Sequence, residues 1–275
     1  MVHEFQDTSV LVVGASGLMG GEIAAAFARA GARVMLSDID GSGAEGRVEE
    51  LRGEGCDVAF HRADVTDAAD VHDLLRHTLE ALGGIDVVVN AADVRVFGPA
   101  VDVREERWKA KIEVAFKPFF LLFGGVARHW IEEGRTGRMI SISSTESTIP
   151  YPGSVAESAA KAGVDILTRV MACELGPSGI TVNAIAPGMT RKRQEDPGFS
   201  AEYIESYMHH IPLGRAGEER EIVDAVFFLA SSAGSYVNGQ TLVVDGGYSA
   251  GIPALQVSGE PPTQWLGFDR DREGV

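Results

Sequence analysis

Short apolar runs recur along the chain, and each is followed by a stretch in which apolar positions return every three or four residues. The runs "SVLVV" (9–13), "ARVMLS" (32–37), "DVAFH" (57–61), "DVVVN" (86–90), "RMISIS" (138–143), "TVNAIA" (181–186) and "QTLVV" (240–244) read as seven short buried strands. The helix-period stretches lie at 20–30, 43–53, 68–82, 104–133, 155–175 and 219–230. Strands that alternate with helices predict a single doubly wound α/β domain. Its seven-stranded sheet is parallel, with right-handed crossovers and helices on both faces. Pro118 interrupts the 104–133 stretch and predicts a kink or a break there. The domain is expected to span 1–250, with a lid at about 190–215. The last segment, 251–275, mixes proline, glycine and scattered aromatics without period, and reads as an irregular tail.

Composition narrows the class. Of 275 residues, 45% are hydrophobic and 23% charged, so the chain can bury a sizeable core. Its net charge of −16 argues against nucleic acid and anionic membranes as partners. Cys56 and Cys173 offer neither a disulfide framework nor metal-ligand spacing, and no metal is expected. The opening "MVHEFQDTSV" lacks a basic region followed by an apolar stretch, and no apolar run is long enough to span a membrane. A cytoplasmic protein is the expectation.

Candidate chemistry begins in the first strand-to-helix turn, "VVGASGLMGGEIAAAFARAG". Gly14, Gly17 and Gly20 would permit a tight turn there, and a close approach of backbone N–H groups to a pyrophosphate at the positive helix end. The second strand ends "VMLSDID". This places Asp38 where a carboxylate accepts hydrogen bonds from adenosine ribose hydroxyls and repels a 2′-phosphate, which predicts NAD as cofactor.

With these come "ADVTD" (63–67), "NAAD" (90–93), "ISISS" (140–144), Lys161, "VNAIAPG" (182–188) and "VNGQTLVVDGG" (237–247). From about residue 8 to 249 the sequence resembles the short-chain dehydrogenase/reductase family, whose fold is a Rossmann sheet. The resemblance implies that Ser16, Leu18, Met19 and Ile39 join the glycines and Asp38 around the nucleotide. It implies that Asp64 and Val65 cup the adenine, and that Asn90, Ala91 and Ala92 form the wall beyond. Lys161, Pro187, Gly188 and Thr190 would hold the nicotinamide end. It also implies a homodimer or homotetramer, through the helices at 104–133 and 155–175 and the closing strand; the tail, apolar at "GIPALQV" and "TQWLGF", is itself expected to dock on a neighbour.

The family's catalytic group is altered here. Its serine matches Ser144 and its lysine Lys161, but the tyrosine position holds Glu157 and the asparagine position Ala115. The middle glycine of the phosphate turn falls on Leu18, Asp93 stands close to the expected nicotinamide, and Lys192 takes the usual threonine place, two beyond Thr190. A glutamate has a reference pKa of about 4.3 against about 10 for tyrosine. As a carboxylate it accepts a proton but cannot donate one. It is also shorter by roughly 1–2 Å, a misplacement that can cost about 10²-fold. Glu157 is therefore expected as a modified base for alcohol oxidation. The competing expectation is a helix-surface pair with Lys161, worth about 0.3–0.5 kcal/mol. Tyr151 and Asp93 are expected in the substrate pocket. Tyr203, Tyr207, His209 and His210 belong to the lid, and Glu146 could join Asp93 and Glu157 in a carboxylate cluster.

The expected function is an NAD-dependent oxidoreductase for a small or medium alcohol or carbonyl compound. Two alternatives stay open: isomerisation or elimination with tightly held NAD, and a catalytically silent, cofactor-binding subunit.

Overall fold

The computed structural model describes residues 5–191 and 200–251. Its strands are β1 (Ser9–Val13), β2 (Arg33–Asp38), β3 (Val58–Arg62), β4 (Val87–Asn90), β5 (Arg138–Ile142), β6 (Thr181–Pro187) and β7 (Thr241–Val244). They form one seven-stranded parallel sheet in the order β3-β2-β1-β4-β5-β6-β7. The strand order reverses between β1 and β4, and a crevice opens at such a switch point beyond the strands' carboxyl ends.

Alternate residues of each strand feed opposite layers, because side chains along a strand point to the two faces in turn. Val10 and Val12 join Val34, Leu36, Val87 and Val89 against α1 (Leu18–Arg29), α2 (Gly41–Gly53) and α8 (Glu219–Ala230). Leu11 and Val13 join Met35, Val88 and Met139 on the other face. That face is covered by α3 (Ala68–Leu82), α4 (Glu105–Pro118), α5 (Gly124–Glu132) and α6 (Val155–Leu175). Two-sided burial is why the strands read as unbroken apolar runs. Fully buried Trp130 on α5 satisfies its indole by donating to the Ile85 carbonyl at 2.7 Å.

The break expected at Pro118 takes a specific form. Proline has no N–H to continue the ladder, and the backbone passes from α4 through a π-helical turn, Phe119–Phe123, into α5. Helix α7 (Ala201–Met208) was not among the expected elements. None of its residues is buried, so it carries no stripe facing the core. Its cap is local, with Ser200 Oγ accepting from the Tyr203 N–H at 3.1 Å. Lys192 and part of the lid lie outside the described residues, as does the tail from residue 252 onward.

The glycine turn is held by backbone crowding. Gly14 has φ +78°, and a Cβ there would come within 2.5 Å of the Ala91 carbonyl carbon and the Ala92 nitrogen. Gly14→Ala is therefore expected to cost about 2–4 kcal/mol, read from the urea unfolding midpoint. Gly46→Ala in α2, where a Cβ meets open space, serves as the control and should be neutral or slightly stabilising.

Candidate active site

A cleft of about 680 Å³ runs across the carboxyl ends of the strands, within the size range of ligand sites. One end has a helix start open to the cleft. Helix α1 starts from Gly17 with no side-chain cap and no acidic residue in its first turn, so its N-terminal amides carry no internal partner of that kind. Ser16 through Gly20 line this end. Asp38 stands at the rim, where its Oδ2 accepts from the Ser16 N–H at 2.9 Å and its Oδ1 from the Asp40 N–H at 3.2 Å. The carboxylate thus fixes the turn it borders. Ile39, Ala63, Asp64, Val65 and Thr66 continue the wall. Asp64 is locked by the Thr66 N–H at 2.8 Å and the Thr66 hydroxyl at 2.7 Å.

Two details of this end were not visible in the sequence. Arg62, beside Asp38 in the β2–β3 register, donates from Nε to the Ile39 carbonyl at 3.0 Å. A basic side chain therefore does approach the rim, from a neighbouring strand and not from the residues that follow Asp38. Asn90, expected against the cofactor, is buried, and its Oδ1 accepts from the Ala92 N–H at 3.3 Å. It shapes the turn, while Ala91, Ala92 and Asp93 form the lining.

At the other end, Ser144, Glu157 and Lys161 all border the cleft, with Pro187, Gly188 and Thr190 opposite. Ser144 Oγ accepts from the Glu146 N–H at 3.2 Å, while the Ser143 hydroxyl donates to Asp165 at 2.7 Å. Lys161 Nζ donates to the Ile142 carbonyl at 3.0 Å and lies 3.6 Å from Asp93 Oδ2.

Glu157 resolves differently from the surface-pair expectation. It is only 3% exposed, and its ion pair is with Lys111 on α4, not with Lys161. Lys111 Nζ lies 2.5 Å from Glu157 Oε2 and 2.5 Å from Asp93 Oδ1. Glu157 Oε1 accepts from the Val96 N–H at 2.8 Å. Ser154 and Glu157 have the spacing of a capping box, yet Ser154 makes no cap bond and Glu157 reaches across to other elements. The anticipated carboxylate cluster is accordingly split. Asp93 and Glu157 meet over Lys111, whereas Glu146 accepts from the Tyr151 hydroxyl at 2.8 Å beside Ser144.

Electrostatics follow from this arrangement. Burial, the largest influence, acts to raise the Asp93 carboxyl, but the Lys161 and Lys111 charges and their bonding hold it below the usual range. Lys161 is pushed below the usual lysine range, first by burial and then by Lys111, against the pull of Asp93, Glu157 and Glu146. Burial, together with the charge and hydrogen bond of Glu146, pushes the Tyr151 phenol well above the usual tyrosine range. Tyr151 keeps its proton and acts as a wall. It lines a small side pocket with Ser144, Tyr203 and Tyr207. His209 and His210 are exposed, and each bonds a carbonyl one turn back.

Lys111 is the site residue that sequence reasoning missed. Its signal was positional: Lys111, Ala115, Phe119 and Leu122 fall at spacings of four, four and three on one buried stripe, and one of them is charged. Away from the cleft, His61, Asp73 and His77 bring ligand atoms within 4.8 Å of one another. Arg76 already occupies Asp73 there, at 2.6 Å.

With the geometry in place, the comparisons agree with it. The family model described as enoyl-(acyl carrier protein) reductase matches residues 14–249. A (2S)-[(R)-hydroxy(phenyl)methyl]succinyl-CoA dehydrogenase subunit, BbsD of Thauera aromatica, is 35% identical over 246 residues, covering 89% of this chain and 97% of that protein. A 3-oxoacyl-[acyl-carrier-protein] reductase, FabG of Staphylococcus aureus, is 35% identical over 240 residues, covering 87% and 97%. The crystal structure of a short-chain type dehydrogenase/reductase from Mycobacterium marinum superposes with a TM-score of 0.83 at 30% identity, over 91% and 98% of the two chains. The chain belongs to the short-chain dehydrogenase/reductase family, a family of nicotinamide-dependent oxidoreductases. No helix among the described residues is long and apolar enough to cross a membrane.

A buried ion pair is fragile when one partner is removed and dispensable when both go. Lys111→Met alone is therefore expected to cost about 3–5 kcal/mol. Lys111→Met with Glu157→Gln, which leaves Asp93 facing Lys161, should cost much less. Urea unfolding of the two single variants and the double one reads out the coupling.

Proposed function

We propose that this chain is an NAD-dependent oxidoreductase acting on a small or medium alcohol or carbonyl compound. The carrying observation is that Ser144, Glu157 and Lys161 border one end of the cleft whose other end is the glycine turn and Asp38. The uncapped start of α1, the crowded Gly14 and the placement of Asp38 fit a dinucleotide, held by Gly17, Leu18, Asp38, Asp64 and Lys161. When bound, NAD supplies the hydride acceptor. Ser144 orients the substrate oxygen and Glu157 receives its proton as the C=O bond forms. Lys161, in this role, binds the cofactor ribose. A carboxylate offers about four lone-pair sites, so the two bonds Glu157 already accepts leave room for a third. With no proton to give, Glu157 suits oxidation over reduction.

A second reading has its own observation. Both Glu157 oxygens are engaged and Tyr151 is tied to Glu146, which is what a catalytically silent, cofactor-binding subunit would show. A relative is itself named as a dehydrogenase subunit. Exposed Trp108 and Phe120 near α4, with Ile166 and Val170 on α6, support a homo-oligomer in either case. The expected location is cytoplasmic.

Two measurements test these readings. NADH should bind at least tenfold tighter than NADPH by fluorescence titration, because Asp38 repels a 2′-phosphate. Equal or tighter NADPH binding, driven by Arg62, would overturn the cofactor assignment. In a panel of hydroxyl compounds assayed with NAD, Glu157→Gln should lower oxidation at least 100-fold with NADH affinity kept. Turnover like the parent chain's in Glu157→Gln would end the base assignment, and no turnover by the parent chain on any compound would favour the silent subunit.

A further inference from the structure

Lys111 does not line the cleft, yet it is the most deeply buried charge in the region, at 0% exposure. It sits on α4 and reaches two carboxylates carried by different segments, Asp93 after β4 and Glu157 on α6. The Glu157 carboxylate is consequently fixed at both oxygens by donors from two directions, Lys111 Nζ and the Val96 N–H. Without Lys111, Oε2 would lose the contact that sets the carboxylate plane.

We propose that Lys111 is a positioning residue: clamped between Asp93 and Glu157, it aims the Glu157 carboxylate at the cleft and stays charge-compensated when Glu157 takes up a proton. The inference rests on the reading of Glu157 as the base. Lys111, Lys161, Asp93 and Glu157 together carry two positive and two negative charges. When the substrate O–H bond breaks and its proton moves to Glu157, that carboxylate no longer balances Lys111. Asp93 is placed for this moment, with Oδ1 on Lys111 and Oδ2 toward Lys161. A buried ammonium left with no partner is strongly disfavoured, and the second carboxylate keeps one in place. The charged group in contact with the pair is Asp93 from the segment after β4; Lys161 lies one turn along α6 with Glu146 acting on it, and Arg95 and Glu113 line the same cleft.

The test needs no substrate. In the full chain labelled with [5-¹³C]glutamate, the Glu157 resonance is assigned by its loss in Glu157→Gln and followed through a pH titration. Lys111→Met is expected to move the Glu157 midpoint up by at least one pH unit, a tenfold change in proton affinity, and Lys111→Arg to restore it in part. Should Lys111→Met fail to fold, Lys111→Met with Asp93→Asn keeps the local net charge unchanged and should show a smaller upward move, since Lys111 is the nearer of the two charges removed. A midpoint within 0.3 unit of the parent chain's in the folded variant overturns the role of Lys111. NADH fluorescence titration of the parent chain separates the two readings. Absent NADH binding there defeats the oxidoreductase reading, while normal binding with an unmoved Glu157 midpoint defeats the Lys111 role alone.

Discussion

A lysine ammonium with no exposed surface can exist only where opposite charge meets it, and Lys111 has two such contacts. That requirement ties together elements the sheet otherwise keeps apart. Helix α4 must pack so that Lys111 faces the segment after β4, and α6 must begin where Glu157 reaches both Lys111 and the Val96 N–H. Asp93 then spans to Lys161, whose own nitrogen is anchored on the Ile142 carbonyl at the end of β5. One neutral group of four charges thereby fixes the Ser144 end of the cleft.

The two ends of the cleft follow different physics. At the glycine-turn end, position is set by backbone: Gly14 wedged against Ala91 and Ala92, a helix start with no side-chain cap, and Asp38 bonding the turn. Such a device tolerates many side chains elsewhere, because a ligand there would meet main-chain N–H groups and one carboxylate. At the other end, position is set by side chains in a low-dielectric setting, where every ion must be matched. Changing one member there changes the requirement on the other three.

The same division explains what was legible in the sequence. Strands β1 to β7 and helices α3, α6 and α8 could be read from apolar periodicity, since two-sided burial imposes the pattern residue by residue. The glycine turn and Asp38 are local, and their spacing carries the meaning. Glu157 could be seen to stand in an unusual place, but its partner could not. Val96 is 61 residues away in the chain, and Lys111 lies in a helix whose surroundings no local rule describes. The i,i+4 relation to Lys161 offered a nearer partner, and tertiary packing overrode it. Arg62 was hidden for a like reason, because it reaches the rim of the cleft through strand pairing and not through sequence adjacency.

Buried ion pairs are weak evidence for stability, since apolar side chains of similar volume often hold a fold as well or better. A site that had only to fill space could replace Lys111, Glu157 and Lys161 with such residues and avoid the desolvation of three buried charges. Here the charges stand at the one end of the cleft where a proton would have to move, beside Ser144 and Lys161. Paired groups whose environments depart from the ordinary cluster at working sites more often than elsewhere. Asp93, held low by the Lys161 and Lys111 charges against its burial, and Lys161, pushed low by burial and by Lys111, fit that pattern. Three of the charges, Lys111, Glu157 and Lys161, are buried, while Asp93 reaches them from the partly exposed wall of the cleft, and the outcome is one carboxylate, Glu157, held in a fixed direction.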